Sequence, residues 1–85
     1  MTKTLRSEGQ IALVAALQKA RKDAGLSQAE LSDRLRCHQS FVARIESGQR
    51  RIDVTELVIL CRAVNADPVA ILQLVAKATP SDARI

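Results

Sequence analysis

The sequence predicts an all-α fold, and three observations carry that expectation. Apolar residues make up 47% of the 85-residue chain, yet Phe41 is its one aromatic, so the core must come from Leu, Ile, Val and Ala. Such side chains suit short packed helices better than a sandwich or barrel. Three Gly and two Pro give little turn chemistry for many strands. Helix-start signals recur along the chain: Ser7-x-x-Gln10, Ser27-x-x-Glu30 and Asp53-x-x-Glu56 fit the capping box, and Asp67-Pro68 sets an N-cap before a proline. A chain of this length holds one modest core, expected over residues 8–78, with loose ends at 1–6 and 79–85.

The first helix is expected over Glu8–Ala24, with Leu13, Leu17, Ala20 and Ala24 on one stripe, and stops at Gly25. The second spans Gln28–Leu35 and buries Leu31 and Leu35. The third spans Gln39–Ser47, buries Val42 and Ile45, and ends on Gly48 in the position just past the C-cap. The fourth spans Val54–Val64, with Leu57, Leu60, Cys61 and Val64 inward. The fifth spans Pro68 to about Lys77, with Ile71, Leu72 and Val75 apolar. No repeat or linker divides the chain.

Charge and cysteine usage narrow the function classes. The net charge of +4 is compatible with a nucleic-acid partner without requiring one. Its placement says more: between Arg36 and Arg51 stand Arg36, Arg44, Arg50 and Arg51 against a single acid, Glu46. Cys37 and Cys61 form no C-x-x-C pair, and His38 has no second histidine for a metal site. Two such thiols fit a reducing compartment, as small core residues more readily than as redox sensors. Lys3 and Arg6 ahead of the apolar run Ile11–Leu17 imitate a signal peptide, but Gln18-Lys19 ends that run at once, far short of a membrane span. A cytoplasmic protein is expected.

The second and third helices are joined by Arg36–His38 alone. A link that short forces a steep crossing, the geometry of a helix-turn-helix. The flanking residues are Leu26-Ser27-Gln28-Ala29-Glu30-Leu31, then Gln39-Ser40-Phe41-Val42, then Arg44-Ile45-Glu46-Ser47-Gly48. On these residues the chain resembles the lambda-repressor and Cro-like (xenobiotic-response-element type) helix-turn-helix regulators, over roughly Leu13–Leu72. The resemblance implies a compact five-helix DNA-binding domain whose third helix enters the major groove of an operator.

With Val42 and Ile45 inward, Gln39, Ser40, Ala43 and Arg44 face outward near the start of the third helix. Gln pairs bidentately with adenine and Arg with guanine, which makes Gln39, Ser40 and Arg44 the expected base readers, with Ala43 beside them. The resemblance implies that Gln28, at the start of the second helix, bonds a backbone phosphate; the bland reading is an exposed Gln in a capping turn. Arg50 and Arg51 in the next loop are expected at phosphates, with Asp53 able to hold one of them and the amides opening the fourth helix able to assist. The resemblance also implies a partly buried structural ion pair between Arg21 and Glu46.

Three positions depart from the family pattern. Arg36 stands where the turn usually has Gly in the left-handed region; it either directs a charge toward DNA or is a plain surface residue. His38 replaces the usual Ser or Thr cap, leaving it to a phosphate, a base edge or solvent. Cys37 replaces an apolar turn residue.

No catalytic constellation is present, since one His without clustered acids and no Gly-rich phosphate loop leave nothing to do chemistry. The function the resemblance implies is a non-enzymatic, sequence-specific regulator, a repressor on a palindromic operator, with no cofactor, membrane or small-molecule partner. A small module reads few bases, so a homodimer is expected, with Ile71, Leu74 and Val75 of the fifth helix at its seam or, alternatively, closing the core. The rival is an antitoxin or adaptor of the same fold whose main partner is a protein.

Overall fold

A computed structural model describes residues 7–85; the loose head expected over 1–6 lies outside them. The described residues form five α-helices: α1 Glu8–Asp23, α2 Gln28–Leu35, α3 Gln39–Glu46, α4 Val54–Ala63 and α5 Pro68–Ala78. Each start carries its own chemistry. Ser7 Oγ accepts from the Gln10 amide, and Asp67 accepts from the Val69 amide ahead of Pro68. At Ser27/Glu30 and Asp53/Glu56 both halves of the capping box form. His38 makes no side-chain cap bond to α3, as befits an imidazole standing where a short hydroxyl or carboxylate serves better.

The helix ends share one device. After α1, α2, α3 and α4 a residue turns into the left-handed region: Gly25 (φ 75°), Arg36 (φ 56°), Gly48 (φ 78°) and Asn65 (φ 57°). The following amide then bonds back to a carbonyl five residues earlier: Leu26 to Arg21, Cys37 to Ser32, Gln49 to Arg44, and Ala66 to Cys61. Orphan carbonyls are thereby satisfied and each chain reversal is tight. Glycine meets this conformation without strain, whereas Arg36 must hold its Cβ against the backbone. Ala24 falls in such a turn as the exposed C-cap of α1, not on its buried stripe, because the helix stops one residue earlier than the apolar pattern suggests.

Leu13 and Leu17 of α1, Leu26, Leu31 of α2, Val42 and Ile45 of α3, Leu57, Leu60, Cys61 and Val64 around α4, and Ile71 of α5 make one core. Leu35, Phe41, Ile52 and Val75 pack half-buried against it. Leu72, expected on the apolar stripe of α5, is instead exposed, since Ile71 and Val75 define the inward face one side of it. Buried Gly9 brings α1 close to the end of α5, where a Cβ would collide with Thr79 Oγ1. That hydroxyl is held by the Val75 carbonyl.

We predict that Arg36→Gly raises stability by about 1 kcal/mol, the usual penalty for an L residue in the left-handed region. Urea unfolding measures this, and a lowered midpoint would show that the arginine side chain stabilises the turn by more than its backbone strains it.

Candidate nucleic-acid interface

The third helix is eight residues long and buries two side chains in the core, Val42 and Ile45, with Phe41 half-buried beside them. Two buried apolar side chains on two turns fix depth better than direction, so the polar contacts at its ends matter. At its C-terminal end Glu46 meets Arg21 of α1 in a two-pronged pair: Arg21 Nε donates to Oε2 at 2.7 Å and Nη2 to Oε1 at 2.9 Å. The side chains are 8% and 6% exposed. Arg21 Nη1 donates to the Leu26 carbonyl at 2.7 Å, which ties the α1–α2 turn to the same guanidinium. The Gln28 side-chain amide, at the start of α2, donates to Glu46 Oε1 at 3.0 Å. One carboxylate thus joins α1, α2 and α3.

Burial by itself would push the Glu46 carboxyl up. The hydrogen bonds from Arg21 and Gln28, with the Arg21 charge, outweigh it and hold the carboxyl below its ordinary range. The same hydrogen bonds raise Arg21, so both groups stay ionised.

The outward face carries the expected readers. Gln39, Ser40 and Arg44 are exposed, and Ala43 is half-buried behind them. His38 and Arg36, in the α2–α3 link, are exposed too. Gln28 is half-buried, and its side-chain amide, expected at a phosphate, commits one of its two hydrogens to Glu46.

The loop after α3 differs from the sequence expectation. Arg51 is exposed, but Arg50 folds back onto the protein. Its Nη2 donates to Glu56 Oε2 at 2.8 Å and its Nη1 to Glu56 Oε1 at 3.0 Å. Nη1 also reaches the Arg51 carbonyl at 2.7 Å, and the guanidinium lies 4.5 Å from the centre of the Phe41 ring. Asp53, expected to hold one of these arginines, spends its carboxylate on the Glu56 amide as the cap of α4. Glu56 in turn serves both the Asp53 amide and Arg50. The capping box uses two of the four orphan amides at this helix start, and those of Val54 and Thr55 have no intrahelical acceptor. Sequence reasoning missed the Arg50–Glu56–Phe41 cluster. Its one signal was an acid six residues past an arginine, a spacing with no periodic meaning across a loop.

On α5, Ile71 is buried in the protein's own core at 6% exposure and Val75 packs against it, whereas Leu74 is 53% exposed. Of the three residues expected at a dimer seam, Leu74 is the one left open, next to an apolar groove floored by Ala12, Ala15 and Ala16. Cys61 is fully buried in the core, and burial pushes its thiol up, away from the reactive thiolate; Cys37 is half-buried.

Among the described residues no helix is long and apolar enough to cross a membrane. The family described as a helix-turn-helix domain matches residues 12–74. No curated protein sequence matches the chain. Among solved structures it is similar to an XRE-family like protein from Pseudomonas syringae pv. tomato str. DC3000, at 42% identity and a TM-score of 0.80, over 93% of this chain and 96% of that one. It is also similar to the clp gene regulator ClgR from C. glutamicum, at 26% identity and a TM-score of 0.73, over 85% of this chain and 92% of the other. A variant of the Restriction-Modification Controller Protein C.Esp1396I shares the fold at 18% identity and a TM-score of 0.72, over 84% and 90% of the two chains.

The Arg21–Glu46 pair yields a prediction with a definite sign. Removing one half leaves the other charge in a dry site, so Glu46→Ala is expected to lower stability by ~3–5 kcal/mol near neutral pH. Because the folded carboxyl titrates below its unfolded value of about 4.3, the stability it contributes is present above that pH and is lost as pH falls through the depressed value. Urea melts across pH 2 to 7 should therefore show the gap between wild type and Glu46→Ala closing in acid. A gap independent of pH would mean that the carboxylate charge is not what holds the helices.

Proposed function

Because this chain belongs to the XRE-type, Cro/C1-like family of helix-turn-helix regulators, we propose that it is a sequence-specific repressor that binds a palindromic operator as a homodimer through the major groove. It works in the cytoplasm and catalyses no reaction. The observation that carries this reading is the pairing of a firmly held short helix with a solvent-open polar edge. Val42, Ile45 and the buried Glu46 fix α3, while Gln39, Ser40 and Arg44 stand free to meet base edges. Arg36, His38 and Arg51, with the second amide hydrogen of Gln28, supply the surrounding phosphate contacts, which position the protein and carry no sequence information.

A dimer follows from size. One copy offers three or four base-reading side chains, and a twofold assembly doubles them on matched half-sites. Leu74, exposed on the flank of α5 beside α1, is the apolar residue offered to the seam; Leu72 and Val69, also exposed, lie on the opposite flank of the helix. Ile71 and Val75 support this helix from within. ClgR, similar over most of its length, is by name a gene regulator, which fits the same reading.

Arg44→Ala is expected to reduce discrimination at one operator base pair by ~1–3 kcal/mol while leaving binding to random duplex nearly intact. Competition binding on operator and scrambled DNA measures it; equal losses on both would reassign Arg44 to phosphate binding.

For the assembly, sedimentation with footprinting of the DNA upstream of its own gene should show a dimer protecting two half-sites about 34 Å apart. Leu74→Asp should yield a folded monomer with greatly weakened operator binding. A wild-type monomer protecting one half-site would sink the dimer. A wild type that binds no duplex but captures a specific protein would favour the adaptor or antitoxin reading.

A further inference from the structure

We propose that Arg50 is a positioning residue of the DNA interface, not a phosphate ligand: with Glu56 and Phe41 it clamps the loop after α3 and fixes the angle of α3 on α4. This rests on the DNA-binding reading above and assigns a role within it.

The two ends of α3 are held unequally. The Arg21–Glu46 pair secures its C-terminal end, but its N-terminal end has an uncapped start at His38 and no buried side chain before Val42. Phe41 is the large side chain at that end. It is half-buried against the core and lines an apolar cleft with Leu35, Cys37, Ile59 and Leu60, so its ring stands between the reading end of α3 and the α4 residues of that cleft. Arg50 lies over this ring at 4.5 Å and is gripped along its edge by both oxygens of Glu56. The fork–fork geometry fixes the plane of the guanidinium, and a fixed plane stacked on Phe41 fixes the ring. The guanidinium also bonds the Arg51 carbonyl, so the same group sets the backbone that presents the Arg51 side chain.

Charge bookkeeping agrees with this assignment. Glu56 neutralises Arg50 at close range, and the Arg50 and Glu56 side chains are only 35% and 25% exposed. A phosphate drawn to Arg50 would have to approach within reach of a carboxylate held by the same two nitrogens. Arg50 therefore offers the duplex little net charge, while Arg51, one residue on, is exposed.

A phosphate ligand and a positioning residue give opposite signs at Glu56. If Arg50 served phosphate, Glu56→Gln would free the arginine, remove an acid from the interface and strengthen binding. Positioning predicts the reverse. Operator binding should be measured over a salt series for wild type, Arg50→Gln, Arg50→Lys, Glu56→Gln and the double variant Arg50→Gln/Glu56→Gln. Circular dichroism confirms folding at the assay temperature.

Each single variant, including the charge-conserving Arg50→Lys, should weaken operator binding about tenfold, and the double variant no further, as expected for residues acting as one unit. Binding to random duplex and the salt slope should stay near wild type. The exchange-swapped variant Arg50→Glu/Glu56→Arg should recover part of the loss. The proposal is overturned if Glu56→Gln binds the operator as well as wild type or better. It is equally overturned if Arg50→Gln lowers the salt slope by ~0.9, the signature of one lost phosphate contact. A wild-type chain that binds no duplex removes the DNA-binding reading and this role with it. Amide exchange of residues 49–53 in the free protein, expected to quicken in both single variants, reports the clamp separately; unchanged exchange would show that Arg50 does not hold the loop.

Discussion

The carboxylate of Glu46 is the point at which three helices are made to agree. A charge that is almost wholly dry is tolerated only when it is paired and hydrogen-bonded, and here Arg21 supplies a matched fork while Gln28 adds a third donor. The same guanidinium takes the carbonyl that follows the α1–α2 turn. Because the pair is directional, it restricts rotations that the apolar contacts of Leu17, Leu31 and Ile45 tolerate. An eight-residue helix meant to place side chains against base edges needs that restriction more than it needs extra burial, since small tilts at its base move its tip by ångströms.

The basic residues divide by what surrounds them, not by where they fall in the chain. Arg21 and Arg50 face acids on neighbouring elements and serve as struts. Arg34 donates to the Ala63 carbonyl at the end of α4, satisfying a helix terminus. Arg36, Arg44 and Arg51 are exposed around the α2–α3 link and the far end of α3. A count of arginines between 36 and 51 therefore overstates the charge offered to a polyanion, because Glu56, just outside that window, folds back to cancel Arg50. The residual positive surface is narrower than the composition implies.

Turn economy gives the fold its compactness. Four successive helices end in a left-handed residue followed by a backward hydrogen bond; after Gly25, Arg36 and Asn65 the cap of the next helix comes two positions on, and after Gly48 five. Loops this short leave little freedom in the order or crossing of the helices. Two of the four positions are not glycine, so the chain accepts local strain at Arg36 and Asn65 where packing of Leu31, Cys61 and Val64 holds the backbone in place.

Local chemistry made much of this legible in the sequence. Capping at Ser27, Asp53 and Asp67 and the stop at Gly25 depend on residues within five positions of one another, and the apolar spacing named the buried residues of α3 and α4, though not the half-buried Phe41; the left-handed turn at Arg36 came from the family pattern. The Arg21–Glu46 pair was readable through family resemblance alone, because nothing within either helix announces a partner 25 residues away. Which residues shield and which present was decided by the tertiary structure. Ile71 and Leu74 are equally apolar, yet one closes the core and the other faces solvent, since the packing of α5 on α1 and α4 sets that rotation. Arg50 and Arg51 are identical neighbours, yet one is drawn inward by Glu56 and Phe41. Sequence fixes such a side chain's charge; only the approach of an acid and a ring from two other helices determines where that charge is used.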